Sequence, residues 1–426
     1  MLKTDQTTSI ARRGKKCIIR LKNRTVRYAE NGQRSVPLEE TIKNIEQFFL
    51  GSPIEVQFAF IKNKYGKTNK AILTYHSPFG ISQDQHYFGK GLSTNQNIAS
   101  ACFEFFERYN ARMRHDDEII ESSFDEVIDI AIDPQCFNLA ESFNFHRTKK
   151  IDWIWGYSFS QKVPVLVPAN LVFCPYMASG IEKYIGNSDS NGLASGNNME
   201  EAILHGLLEV IERDQVTISE YNRMPFKRVI PDSIPKDCKP TINRLAAEGF
   251  EVYILSGTTD IPVPFIAVFL HCKRNPSYCS VAFGCYPDPA LALERALTEA
   301  IQLLPPSVNH KKWLKSGATQ YYLSNLKDEI HFDALKNIAT SDIKENIEIL
   351  LSCLKEIDSE VIVVDLTQPD IPFPSVRILA TKLQPCIRKD SMRLSQRLFE
   401  VPVKLGLRND PIRRSEVKIW PICGYK

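Results

Sequence analysis

One motif, E-x-x-E-R, occurs twice in this chain, at Glu104-Phe105-Phe106-Glu107-Arg108 and at Glu209-Val210-Ile211-Glu212-Arg213. Both copies sit in stretches of helical periodicity, Asn97 to Met113 and Met199 to Tyr221. The carboxylates are flanked by apolar residues: Phe103, Phe105 and Phe106 in the first copy, Leu207, Leu208, Val210 and Ile211 in the second. Carboxylates in such surroundings are hard to keep fully solvated, and burying them unpaired is costly, so they need cations or arginines. On the second helix, at about 100° per residue, Glu201, His205 and Glu212 fall within about 40° of one another, with Glu209 about 60° from Glu212. A third helical stretch, Pro289 to Leu304, carries Arg295, Glu299 and Gln302. Three helices that each offer carboxylates are what a protein needs to hold several hard cations, and a magnesium-nucleotide site is the first candidate.

One copy of the motif alone would read as a solvated helix face with weak surface pairs. Two copies behind Gly- or Asn-rich loops, Gly89-Lys90-Gly91-Leu92-Ser93 and Ser190 to Asn197, favour a site. The amides of such a loop and the helix N-terminus behind it can meet a phosphate. His205 reads as a satisfied helix histidine.

Around these helices the pattern alternates between strands and helices. Leu38 to Leu50 is helical, Ile54 to Ile61 and Ala71 to Tyr75 form a hairpin about a polar turn at Lys64 to Thr68, and Trp153 to Phe173 holds strand-like runs broken by Pro164 and Pro168. Val252 to Leu255, Phe265 to Leu270, Val281 to Gly284 and Val361 to Leu366 read as buried strands, and Ile343 to Ile357 as a helix. This alternation gives an α/β or α+β class. A net charge of +3 on 426 residues supplies no argument for nucleic acid as a partner. The basic run Ala11 to Lys16 reads as a flexible terminus. No apolar stretch approaches a membrane span, and Met1 to Asp5 lacks a signal-peptide core, so a cytoplasmic location is expected. The eleven cysteines include no C-x-x-C, and the spacing of Cys272, Cys279 and Cys285 suits no common zinc knuckle. There is no H-E-x-x-H or G-x-S-x-G, and Gly66-Lys67-Thr68 lacks the earlier glycine of a P-loop.

Taken in order, the loop Ser190 to Asn197, then Glu200-Glu201-Ala202, then Glu209 to Arg213, resemble the signature of the YcaO superfamily. Ser100, Glu104, Glu107 and Arg108 resemble its first nucleotide motif, and Arg295, Glu299 and Gln302 its third. The resemblance covers roughly residues 35 to 407. It implies an α+β fold with mixed sheets and long helices lining a central nucleotide site. On either side it leaves a basic N-terminal extension, 1–34, and a tail, 408–426. It implies an ATP- and Mg2+-dependent enzyme that phosphorylates a backbone amide oxygen in a ribosomally made precursor peptide, turning a poor leaving group into a good one. The product is then an azoline, a thioamide or an amidine. By the same resemblance Glu104, Glu107, Glu201, Glu209, Glu212 and Glu299 hold magnesium or position nucleotide. Ser100, Asn197, Arg213, Arg295 and Gln302 contact nucleotide, with Arg34 and Thr41 near adenine or ribose. No residue is assigned a catalytic role beyond these. Implied partners are the precursor peptide and a leader-peptide-binding or TfuA-like protein, and a homodimer is an open assembly. Azoline-forming members end in P-x-P-x-P, whereas this sequence ends Trp420-Pro421-Ile422-Cys423-Gly424-Tyr425-Lys426, with one proline. A nucleotide-binding accessory factor in a methylthiolation-type complex is the alternative reading.

Overall fold

The computed structural model describes residues 18–27, 32–62, 68–75, 85–177, 180, 183–186, 188–272, 274, 279–304, 318–324, 328–386 and 392–417. The basic run 11–16, most of the polar turn 64–68 and the terminal segment 420–426 lie outside them. Helix α1 (Leu38–Gly51) leads into an antiparallel sheet of β1 (Val56–Lys62), β2 (Thr68–Tyr75) and β3 (Gln85–Gly89). Helix α2 (Thr94–Asn110) packs across β2 and β3. It starts three residues before the apolar periodicity does. The reason is a capping box, in which Ser93 Oγ accepts from Gln96 N (3.2 Å) while Gln96 Oε1 accepts from Ser93 N (3.0 Å).

The short helix α3 (Phe124–Val127) follows β4 (Ile120–Ser123), and then come β5 (Lys150–Ser158), β6 (Val163–Pro168) and β7 (Leu193–Ser195). With β13 (Val361–Asp365) and β14 (Ser375–Ala380) they form a second sheet in the order β4-β5-β13-β14-β7, β6 pairing with β5. The third sheet, β11-β10-β9-β8-β12, comprises β8 (Lys227–Val229), β9 (Phe250–Gly257), β10 (Phe265–Cys272), β11 (Cys279–Cys285) and β12 (Glu329–Ile330). Among the described strands only β8 and β12 pair in parallel.

The long helix α4 (Met199–Tyr221) runs between the second and third sheets, against β7, β14 and β11. Its bounds match the sequence periodicity, and its N-cap is Asn198, whose side chain accepts from Glu201 N (3.1 Å). After α5 (Lys239–Ala247), helix α6 (Pro289–Gln302) lies on β10 and β11, capped by Asp288 with Pro289 at its first position. The chain continues through α7 (Ala318–Ser324), α8 (Ile343–Lys355) and α9 (Arg397–Lys404). Helix α9 was not legible beforehand, because Pro402 sits inside it.

The apolar residues between the first pair of carboxylates enter an aromatic cluster. Phe105 and Phe106 are fully buried, and Phe106 stacks on Phe373 with centroids 4.5 Å apart. Each buried phenylalanine contributes roughly 1.5–3 kcal/mol, which holds α2 on its sheet while its polar edge faces the interior of the molecule. Two glycines let strands touch helices directly. A Cβ on Gly89 of β3 would lie 1.7 Å from the carbonyl oxygen of Asn97 in α2, and one on Gly284 of β11 would lie 2.0 Å from that of Ala292 in α6.

The expected flexible extension over 1–34 is packed where it is described. Lys22 N and Arg24 Nε donate to the carboxylate of Glu200 (2.8 and 3.1 Å), and Gln33 N donates to the Tyr286 hydroxyl (2.8 Å). At the far end of α4 a second charged cluster ties in α9. Arg397 donates to both oxygens of Asp214 (2.7 and 3.2 Å) and both of Asp260 (2.8 and 2.9 Å), and Lys404 adds a bond to Asp260 (3.1 Å).

Candidate nucleotide site

Helices α2, α4 and α6 bring the three sequence motifs to one place. On α2, Ser100, Glu104 and Glu107 follow one face at spacings of four and three residues. Glu107 faces Glu209 of α4. Its carboxyl is pushed up to about 8, chiefly by burial, then by Glu209 and Glu104, against the opposing pull of Arg108 and the amide of Ser195. Burial works against the charge on Arg108, but Glu107 and Glu104 outweigh it and hold the guanidinium charged. Glu209 pairs with Arg213 one turn along (3.3 Å).

Glu212 accepts from Cys285 N of β11 (3.2 Å) and faces Glu299 of α6. Burial first, and Glu299 second, push Glu212 upward. Burial acts on Glu299 in the same sense, but Lys90 overrides it, with Nζ 2.5 Å from Glu299 Oε2, and holds that carboxyl down. Lys90 lies in the loop between β3 and α2, which the sequence marked only as a phosphate-facing loop.

Two of the expected nucleotide contacts grip the protein itself. Glu104 Oε2 accepts from Phe88 N (2.6 Å) and Gln302 Nε2 donates to Phe88 O (3.2 Å), so α2 and α6 hold the same residue of β3. Glu201, expected among the cation ligands, is engaged on both oxygens. Oε1 accepts from Ser35 N (2.8 Å) and Ser35 Oγ (2.9 Å), and Oε2 accepts from Asn197 N (3.2 Å) and Asn197 Nδ2 (2.9 Å), with Arg34 Nε at 3.9 Å. Protein donors meet both of its oxygens, so Glu201 fastens the loop before α4 to the segment before α1. Thr41 completes this junction, its hydroxyl 3.0 Å from Asn197 Oδ1. Arg295 donates through Nη2 to His205 Nε2 (3.2 Å) and forms no ion pair among the described residues. Its Nε is buried and has no hydrogen-bond partner among the described residues.

The residues fit magnesium and a polyphosphate. Burial first, and the neighbouring carboxylates of Glu209 and Glu104 second, favour the protonated form of Glu107, and Lys90 caps Glu299. Among the described residues no three His, Cys, Asp or Glu side chains close on one point as a complete metal cage.

Three helices of an α+β fold share this carboxylate-rich region, and comparison with known proteins gives the fold a family. The model for "YcaO cyclodehydratase, ATP- and Mg2+-binding" matches residues 88–384, and the chain belongs to that family. A protein from Methanothermobacter thermautotrophicus is 32% identical over 323 residues, covering 70% of this chain and 81% of that one. The solved structure of YcaO from Methanopyrus kandleri bound with AMPPCP and Mg2+ matches with a TM-score of 0.68 and 25% identity, covering 84% of this chain and 94% of that one. A heterocyclase in complex with substrate and cofactor shares the fold, with a TM-score of 0.82 and 22% identity over 95% of this chain. The chain spans 59% of that heterocyclase.

No helix among the described residues is long and apolar enough to cross a membrane.

Proposed function

We propose that this protein uses Mg2+ and ATP to activate a backbone amide of a ribosomally made precursor peptide by phosphorylating its oxygen. The observation that carries the reading is the gathering of half-buried and buried carboxylates on α2, α4 and α6, set beside Arg108, Arg213, Arg295 and Lys90. Glu107 with Glu209, and Glu212 with Glu299, would hold the ions, with Glu104 a turn away from Glu107. When bound, magnesium neutralises the triphosphate and polarises its terminal phosphoryl group. The protein's own part is to place phosphate and peptide. Arg213 and Arg295 meet phosphate oxygens, and Asn197, held by Glu201 and Thr41, presents the loop before α4 to the nucleotide. Ser100 lines the same face of α2, and Arg34 closes the junction beside α1.

The reading extends to a separate leader-peptide-binding or TfuA-like protein that delivers the peptide. Azoline, thioamide and amidine remain alternative products of the same activated amide.

The test is phosphate release from ATP with Mg2+, with and without precursor peptides encoded beside the gene, followed by intact-peptide mass. Loss of one water identifies an azoline, and exchange of oxygen for sulfur identifies a thioamide. Nucleotide binding without turnover or peptide change would favour the accessory-factor role. Absence of nucleotide binding would sink the proposal.

A further inference from the structure

His205 lies on α4, one turn after Glu201 and one turn before Glu209, between the two acidic groups of the site. Arginine has donors only, so the 3.2 Å contact with Arg295 Nη2 fixes His205 Nε2 as an acceptor and leaves the ring proton on Nδ1. The surroundings enforce the neutral ring: burial first, then Arg295, Arg34 and Lys90, hold the imidazole well below its ordinary value. Arg295 is otherwise an unusual cation. It has no ion pair among the described residues, and its Nε–H is buried without a partner. The guanidinium is half-buried and feels Glu212 and Glu299 without bonding either, so its buried Nε–H is open to an anion, and a fixed acceptor behind one of its nitrogens decides which way its remaining N–H groups face.

We infer that His205 is a positioning residue, a neutral imidazole strut that orients Arg295 so that its unpartnered N–H meets a phosphate oxygen of the bound nucleotide. This rests on the magnesium-nucleotide reading above, but it makes a separate demand. A carboxylate at position 205 would bind Arg295 more strongly, yet it would neutralise the charge that the phosphate is to meet. A neutral acceptor holds the guanidinium and leaves its charge available. The three cations around the ring also make a protonated imidazole unsuitable, since it would repel Arg295 and could not accept its hydrogen bond.

The experiment compares three substitutions in the full-length chain, with binding of Mg2+·AMPPCP measured by calorimetry and ATP turnover measured alongside. In His205→Gln the amide oxygen can stand near the place of Nε2, and affinity is expected within about threefold of the unsubstituted protein. His205→Leu keeps bulk without an acceptor, and is expected to lose about ten- to a hundredfold in affinity, the scale of a hydrogen bond to a charged group. His205→Glu keeps an acceptor but cancels the charge of Arg295, and is expected to lose at least as much as His205→Leu. Thermal melts without nucleotide check that each variant folds. A second readout is the 15Nε–1H signal of Arg295, which is expected to shift on adding Mg2+·AMPPCP in the unsubstituted protein and in His205→Gln, and not in His205→Leu. Equal affinity in the Gln and Leu variants would overturn the inference, as would tighter binding by His205→Glu. If the unsubstituted protein binds no Mg2+·AMPPCP, the nucleotide reading itself fails, and the inference fails with it. Binding that survives in all three variants removes His205 alone.

Discussion

Helix α4 carries two buried charged clusters, and they are built on opposite principles. At its C-terminal half, Asp214 meets Arg397, which also grips Asp260, and Lys404 closes the group: two acids and two bases, with every carboxylate oxygen bonded. At its N-terminal half and middle, Glu209 and Glu212 face Glu107 and Glu299 across helix boundaries, so acid stands against acid even though Arg213 and Lys90 pair with Glu209 and Glu299. The first cluster is complete as a piece of architecture. The second is stable only by keeping a proton at Glu107 and by borrowing Lys90 for Glu299. A balanced buried network holds a fold together, whereas an unbalanced one is waiting for charge from outside.

The sharpest way to break this comparison is to unbalance the balanced cluster. Arg397→Leu should cost about 3–5 kcal/mol in chemical denaturation, because it strands two buried aspartates. A loss under about 1 kcal/mol would mean that the network is looser than its geometry. The converse change should behave differently. Glu107→Gln removes a group that is already costly, so the metal-free protein should be as stable as before or more so, while ATP turnover falls by about a hundredfold or more. Turnover within a factor of about three of normal would remove Glu107 from the site.

One carboxyl from each cluster, Glu107 and Asp260, should respond to pH with opposite signs. Glu107 has a folded value of about 8 against an ordinary 4.5, so the folded metal-free protein holds a proton that the unfolded chain releases. That stabilisation is complete below the ordinary value and is lost as pH rises through about 8. Asp260 runs the other way. Burial opposes its charge, but the bonds from Arg397 and Lys404 prevail and hold it below its ordinary value. Its contribution is present above the ordinary carboxylate range and is lost as pH falls through the folded value. Melting curves of metal-free protein across this range should show an alkaline loss that Glu107→Gln reduces and an acid loss that Glu107→Gln leaves alone. An alkaline limb identical in the variant would place the retained proton elsewhere. The smallest effect is expected at the junction of loop and helix. Thr41→Val deletes one bond to Asn197, worth about 1 kcal/mol, and should raise KM for ATP about fivefold with kcat held. A change in kcat alone would contradict that placement.

Much of this was readable in the sequence, for a physical reason. Helical periodicity is a local property, so α4 was bounded correctly at Met199 and Tyr221, and the carboxylates set among apolar neighbours pointed to the three helices that meet. What could not be read was which carboxylates were already occupied. Glu201 and Glu209 look alike along the helix, yet Ser35, far away in the chain, fills one oxygen of Glu201. Lys90 likewise meets Glu299 only through the fold. The pairing of Arg295 with His205 joins two separate motifs, and a helical wheel of either one sees half of it. Helix α9 carries no local helix signal of this kind, since an internal proline argues against a helix that tertiary bonds to Asp214 and Asp260 sustain.

The contacts at Gly89 and Gly284 bear on how such a site can be inherited. Where strand backbone rests on helix backbone, the seating of α2 and α6 does not depend on how large the neighbouring side chains happen to be. The core can then drift in sequence while the carboxylates stay in register, much as a jig holds parts to tolerance whatever the material. Two hydrogen atoms in place of two methyl groups thus separate a surface that many sequences can line from one that only a few could reproduce.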